Sequence, residues 1–133
     1  MPDIRLAAGE EHEEVKKRLA KYMQTEYSYT ITHMADAAPK YTEPPKIGRH
    51  IPDILAEKKV GDKTQKAIGE AKSCTGLDDE ETKEQIEDYD YKKSKHEFFL
   101  GVPESCLDKA TELMSELEYS TDKKNHLVHF DLT

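Results

Sequence analysis

Three ionisable residues stand in two short apolar segments: Asp53 in Ile51-Pro52-Asp53-Ile54, and Glu70 and Lys72 in Ile68-Gly69-Glu70-Ala71-Lys72. If both segments are strands, alternation of side chains puts Glu70 and Lys72 on one face. A hairpin register that sets Asp53 across from them then collects two carboxylates and an ammonium. Two close carboxylates suit a hard divalent cation such as Mg²⁺, which takes oxygen ligands. An adjacent lysine can polarise an attacking water or hold a phosphate. Ala71 turns its side chain away and leaves its carbonyl oxygen as a further ligand. The plainer alternative is a solvated cross-strand ion pair, with Asp53 as a turn-proximal acid.

The elements that must position these groups are legible from periodicity. Val15, Leu19, Tyr22 and Met23 recur at helical spacing after Gly9 and an acidic first turn, which predicts a helix over 10–23. Residues 27–34 alternate and are rich in aromatic and β-branched types, hence a strand. Pro39, Pro44 and Pro45 make 35–48 a loop. Residues 49–57 and 66–73 read as strands about the turn signal Gly61-Asp62-Lys63, an antiparallel hairpin. A second helix is expected over 82–93. The apolar run at 96–102 is typical of a buried central strand. Pro103 suits the first position of a third helix, with Leu107, Ala110, Met114 and Leu117 as its apolar stripe. A half-buried strand over 127–132 follows. The order α-β-β-β-α-β-α-β is most economically an α/β fold, a mixed central sheet with helices on both faces.

With this frame in place, Pro52-Asp53 followed 17 residues later by Glu70-Ala71-Lys72 resembles the signature of the PD-(D/E)XK nuclease superfamily. Gln85-Ile86-Glu87-Asp88-Tyr89 resembles the Gln-x-x-x-Tyr motif on the following helix in its recombination-exonuclease branches. The α-β-β-β-α-β order is similar to the shared restriction-endonuclease-like core over residues 9–102. The resemblance implies that Asp53 and Glu70 bind Mg²⁺, with Mn²⁺ as a substitute, and that Lys72 assists the nucleophile. It implies that Gln85 and Tyr89 position the substrate or support the site. It also implies one more carboxylate from the first helix. Glu11, one turn before Val15 on the inward face, is the choice, with Glu10 and Glu14 as rivals. The implied reaction is hydrolysis of a DNA phosphodiester to 5′-phosphate products, inhibited by Ca²⁺. Small members of the superfamily are often homodimers. Holliday-junction resolvases resemble this chain in size and in an acid-bearing first helix, whereas the Gln-x-x-x-Tyr feature is similar to the exonuclease-like branch.

The chain has 133 residues and a formal net charge of −8, which bounds it to a single domain over 1–133 and argues against non-specific coating of nucleic acid. Most of that charge is local: residues 77–91 hold eight acids and one lysine. A helical projection places Glu80, Glu84, Glu87 and Asp88 on one outward face, away from Gln85, Ile86 and Tyr89. That face is a candidate surface for a protein partner. DNA contacts would then fall to Lys46 and Arg49 before the first ligand and to Lys92, Lys93 and Lys95 after the second helix. Cys74 and Cys106 read as small, partly buried thiols of a reducing compartment. His12 reads as a core-edge histidine, and His33, His50, His126 and His129 show no metal-ligand spacing. With no membrane-spanning run and no secretory layout, a cytoplasmic (intracellular) protein is expected. The alternatives to a nuclease are a non-catalytic interaction module on the same fold and an acidic DNA mimic.

Overall fold

A two-residue turn organises the molecule. In the computed structural model, which describes residues 8–116 and 124–132, Val60 pairs with Lys63. Gly61 (φ +64°) supplies the positive φ that a two-residue hairpin demands at its first position. The hairpin joins β2 (Ile54–Val60) to β3 (Lys63–Ala71). β1 (Thr30–Met34) adds antiparallel to β2, while β4 (Glu97–Pro103) and β5 (Asn125–Phe130) add parallel on the far side of β3. The result is an α/β protein built on a five-stranded mixed sheet in the order β1-β2-β3-β4-β5. Among the described residues it carries four α-helices, α1 (Ala8–Tyr27), α2 (Glu80–Tyr89), α3 (Tyr91–Ser94) and α4 (Leu107–Glu116).

Each sheet face has its own core. Val15, Leu19 and Met23, spaced by four, form the buried stripe of α1. Leu19 and Met23 pack with Ile54, Ala56, Ala67 and Phe99. Two glycines make that approach possible: a Cβ on Gly69 would lie 2.9 Å from Met23 Sδ, and one on Gly101 would lie 3.1 Å from Leu19 Cδ2. The opposite face gathers Leu55, Ile68, Phe98, Leu100 and Val102 against Ile86 and Tyr89 of α2 and Ala110, Leu113 and Met114 of α4. β4 is buried along its whole length, as its unbroken apolar run foretells.

The element boundaries differ from the sequence reading for local reasons. α1 continues to Tyr27 because Ser28 takes a left-handed conformation (φ 61°) and Tyr29 N–H donates to Met23 O at 3.1 Å, a C-cap that consumes the expected start of β1. β2 starts at Ile54 because residues 47–50 form a turn closed by Ile47 N–H to His50 O at 2.9 Å. The helix expected over 82–93 is two helices. Asp90 leaves helical geometry (ψ 132°) and its carboxylate caps α3 through Lys92 N–H. Pro103 ends β4 and precedes a 3₁₀ turn over Glu104–Cys106, so it is not a first helical position. β5 runs over Asn125–Phe130, and Leu117 lies outside the described residues. The expectation of free thiols is overturned: Cys74 and Cys106 form a disulfide. The parallel pairing of β3 with β4 brings the chain beyond both strand ends together, which linear spacing does not reveal. Among the described residues no helix is long and apolar enough to cross a membrane.

Candidate active site

The site lies where β2 begins and β3 ends. Ile54 pairs with Gly69, so Asp53, one residue before β2, is level with Glu70. Each carboxylate is tied to the backbone of the opposite segment: Asp53 N–H donates to Glu70 Oε1 at 3.1 Å, and Ala71 N–H donates to Asp53 Oδ2 at 2.8 Å. Glu70 shares a strand face with Ile68, the face that α2 covers. Gln85 of α2 donates from Nε2 to Glu70 Oε2 at 3.3 Å. Lys72 continues past the strand, with its N–H on Gly101 O at 3.0 Å and its Nζ 3.4 Å from Glu70 Oε2.

Burial sets the electrostatics. Glu70 is 3 % exposed and Asp53 8 %, and the solvated cross-strand pair is thereby excluded. Burial, reinforced by the neighbouring Asp53 charge, pushes the Glu70 carboxyl well above the usual carboxylate range, and Lys72 only partly opposes this. Tyr89, buried beside Phe98 with ring centroids 5.8 Å apart, has its phenol raised by burial and by the charges of Glu70 and Asp53. Its hydroxyl and Gln85 Oε1 are buried without a hydrogen-bond partner among the described residues. Two polar oxygens left open on the helix that covers Glu70 are costly to keep.

One residue that sequence reasoning set aside belongs here. His12 Nε2 lies 3.1 Å from Asp53 Oδ2, and that hydrogen bond raises the imidazole pKa against the opposing effect of burial. The signal was available, since the turn preceding Val15 presents both Glu11 and His12 inward. Glu11 itself accepts from Cys74 N–H at 2.7 Å, so it holds the chain two residues past Lys72 and makes no hydrogen bond to either carboxylate. Of the rivals, Glu10 is exposed and Glu14 pairs with Arg18 at 2.9 Å. Ala71 takes part through its N–H, which donates to Asp53.

The expected DNA-contacting cations divide. Lys46, Lys92 and Lys95 are exposed. Arg49 and Lys93 instead converge on Asp88, with Arg49 Nε 3.0 Å from Oδ2 and Lys93 Nζ 2.7 Å from Oδ1. Asp88 is 2 % exposed, which corrects its place on the outward acidic face. Burial works against its charge, yet the Arg49 and Lys93 hydrogen bonds hold its carboxyl well below the usual range. Arg49 also reaches Glu87 at 3.0 Å and Glu84 at 3.5 Å, pinning the 47–50 turn onto α2.

Among the described residues no group of three or more His, Cys, Asp and Glu side chains is arranged to hold a metal ion. The oxygen donors present are the two carboxylates. The chain matches no protein-family model, no curated protein and no solved structure.

Proposed function

We propose that this chain is a metal-dependent nuclease of the PD-(D/E)XK kind, with a restriction-endonuclease-like core, that hydrolyses DNA phosphodiester bonds. The observation that carries the reading is the convergence of the buried Asp53 and Glu70 with the half-buried Lys72 at adjoining strand ends, short of positive charge. A structural ion pair has no need of a second carboxylate beside the first.

One feature of the donor set supports a divalent cation. Two buried carboxylates share a spot where one of them is driven toward protonation, and a hard cation relieves that repulsion directly. Asp53 and Glu70 would hold Mg²⁺ or Mn²⁺, with the Ala71 carbonyl available and the remaining positions left to water and phosphate oxygens, as Mg²⁺ prefers. The ion would supply Lewis acidity and a more acidic bound water. This chain's own groups do the rest. Lys72, anchored through its backbone to β4, orients the attacking water or neutralises charge that builds on the phosphate. Gln85 fixes the Glu70 carboxylate, and His12 fixes Asp53 from the other side. Tyr89 backs the site with a neutral hydroxyl. DNA is the proposed substrate, and a homodimer would let two sites address two strands.

The acidic helix supports a second reading less well. A DNA mimic needs a continuous negative face, and Arg49 interrupts this one at Glu84, Glu87 and Asp88. The test is incubation with linear, nicked and branched DNA in Mg²⁺, Mn²⁺ or EDTA. Metal-dependent cleavage that Lys72→Ala abolishes is expected. No cleavage of any substrate under any metal would sink the nuclease reading.

A further inference from the structure

Arg49 and Lys93 are committed to Asp88, and besides the exposed Lys46, Lys92 and Lys95 the molecule has a groove that supplies further cations. It runs along α1 from Gly9 to Thr25, walled on its far side by residues 34–41, and encloses about 1410 Å³. Its apolar floor includes Ala20, Met34, Ala37 and Tyr41. Of the charges that line it, Lys16 pairs with Glu13 at 2.9 Å and Arg18 with Glu14 at 2.9 Å. That leaves Lys17, Lys21 and Lys40 with no carboxylate partner among the described residues, against Glu10 and Asp36. The groove's lining is thus net +1, five bases against four acids, in a chain of net charge −8.

Asp53, Glu70 and Lys72 do not line the groove, but its walls are tied to their site. Its wall is fastened there, since Ala35 N–H donates to Asp53 O at 2.8 Å and Lys16 Nζ donates to Ala35 O at 2.7 Å. On the α1 side, Glu13 lies 3.7 Å from His12, whose other ring nitrogen meets Asp53 at 3.1 Å.

We infer that this groove seats a single nucleic-acid strand and delivers it to Asp53 and Glu70. Lysines without a carboxylate partner, Lys40 among them with its Nζ 5.5 Å from the Tyr41 ring centroid, beside an apolar, aromatic-bearing floor match a strand whose phosphates are exposed and whose bases are free to leave water. Duplex DNA keeps its bases stacked inside and gains nothing from an apolar floor. The assignment rests on the nuclease reading for its direction toward the carboxylates, but the binding it asserts is separable from cleavage.

The experiment is fluorescence anisotropy of end-labelled single-stranded and duplex oligonucleotides in EDTA, across a salt series. Wild type should prefer the single strand. The triple variant Lys17→Ala/Lys21→Ala/Lys40→Ala should bind it about tenfold or more weakly, with the slope of log affinity against log salt reduced by about 2, three contacts at ~0.7 each. Lys63→Ala, at the exposed hairpin turn far along β3, is the control and should match wild type. Alanine keeps α1 helical, and an unchanged circular dichroism spectrum establishes that the triple variant is folded. Equal affinity of the triple variant and wild type overturns the inference, as does equal or tighter binding of duplex, or no binding of single strand by wild type. Single-strand binding without metal-dependent cleavage defeats the nuclease reading and leaves the groove. Cleavage that the triple variant retains with unchanged KM defeats the groove and leaves the nuclease.

Discussion

The molecule holds two acid–base clusters, each built around buried carboxylates, and they are built on opposite terms. At Asp88, one buried carboxylate meets two cations and a backbone N–H, and its pKa falls. At Asp53 and Glu70, two buried carboxylates share one ammonium, one histidine, two backbone N–H groups and the Gln85 amide, and the Glu70 pKa rises. The first arrangement is satisfied as it stands and closes a loop onto a helix. The second is hydrogen-bonded but short of positive charge, and such a deficit is tolerable where a ligand of opposite charge is to bind. The difference separates a structural clamp from a candidate site better than residue type does, since both clusters are made of Asp, Glu, Lys and Arg.

The largest effect that tests this contrast is at Lys72. Replacing it with alanine should lower metal-dependent cleavage by about 100–1,000-fold, the loss typical of one group that stabilises developing charge. The melting temperature should stay close to wild type, because Glu70 can neutralise itself by keeping its proton. If Lys72→Ala instead unfolds the chain, Lys72 is a clamp like Arg49 and the contrast collapses. Next in size is the covalent tie at the same end of the sheet. Cys74–Cys106 closes a 32-residue separation just beyond Lys72. Cys106→Ser should lower unfolding free energy by about 3–4 kcal/mol in non-reducing denaturant melts. A loss below about 1 kcal/mol would mean that non-covalent packing alone holds this end.

Asp88→Asn comes third, with an expected loss of about 2 kcal/mol in urea as charge-assisted hydrogen bonds weaken and no change in kcat for cleavage. Its pH signature is specific. Because the folded carboxyl is held below its unfolded value, its contribution is present above the ordinary carboxylate range and is lost as pH falls through the depressed folded value. The variant's deficit should therefore shrink in acid. A persistent deficit at low pH would show that shape, not charge, is what Asp88 provides beneath Gly48, where a Cβ would sit 2.6 Å from its carboxyl.

How far such clusters can be read from sequence depends on how far the information travels along the chain. Strand parity placed Glu70 and Lys72 on one face, and the 96–102 run announced β4, because both signals are local. The hairpin register needed only the turn at Gly61. The pairing of Asp88 with Arg49 and Lys93 was not legible: projection on a helical wheel treats every acid as solvated, whereas a loop 39 residues earlier covers this one. Likewise Glu11 and His12 share the turn before Val15, and only the crossing of α1 over the strand ends decides that the histidine meets Asp53 while the carboxylate meets Cys74 N–H. The disulfide follows from parallel strand pairing, a property of topology.

The smallest effect is expected at Glu70→Gln, and its sign is the sharpest test of the contrast. The folded carboxyl is raised above its unfolded value, so its contribution to stability is present below the ordinary carboxylate range and is lost as pH rises through the raised folded value. At neutral pH and in EDTA the wild-type chain therefore folds against the penalty of one buried acid, and the amide removes that penalty. The amide also fits the site. Its oxygen can keep the Asp53 N–H, and its NH₂ can face the Gln85 side-chain oxygen, which lacks a partner among the described residues. The gain is limited because the attraction of Lys72 is lost with the charge. Glu70→Gln should thus melt slightly higher than wild type at pH 7 in EDTA, and the difference should vanish toward pH 4. Adding Mg²⁺ should raise the wild-type melting temperature and leave the variant unmoved. A lower melting temperature for Glu70→Gln at pH 7 would make Glu70 a satisfied structural carboxylate of the Asp88 kind, and the case for a cation between Asp53 and Glu70 would fall with it.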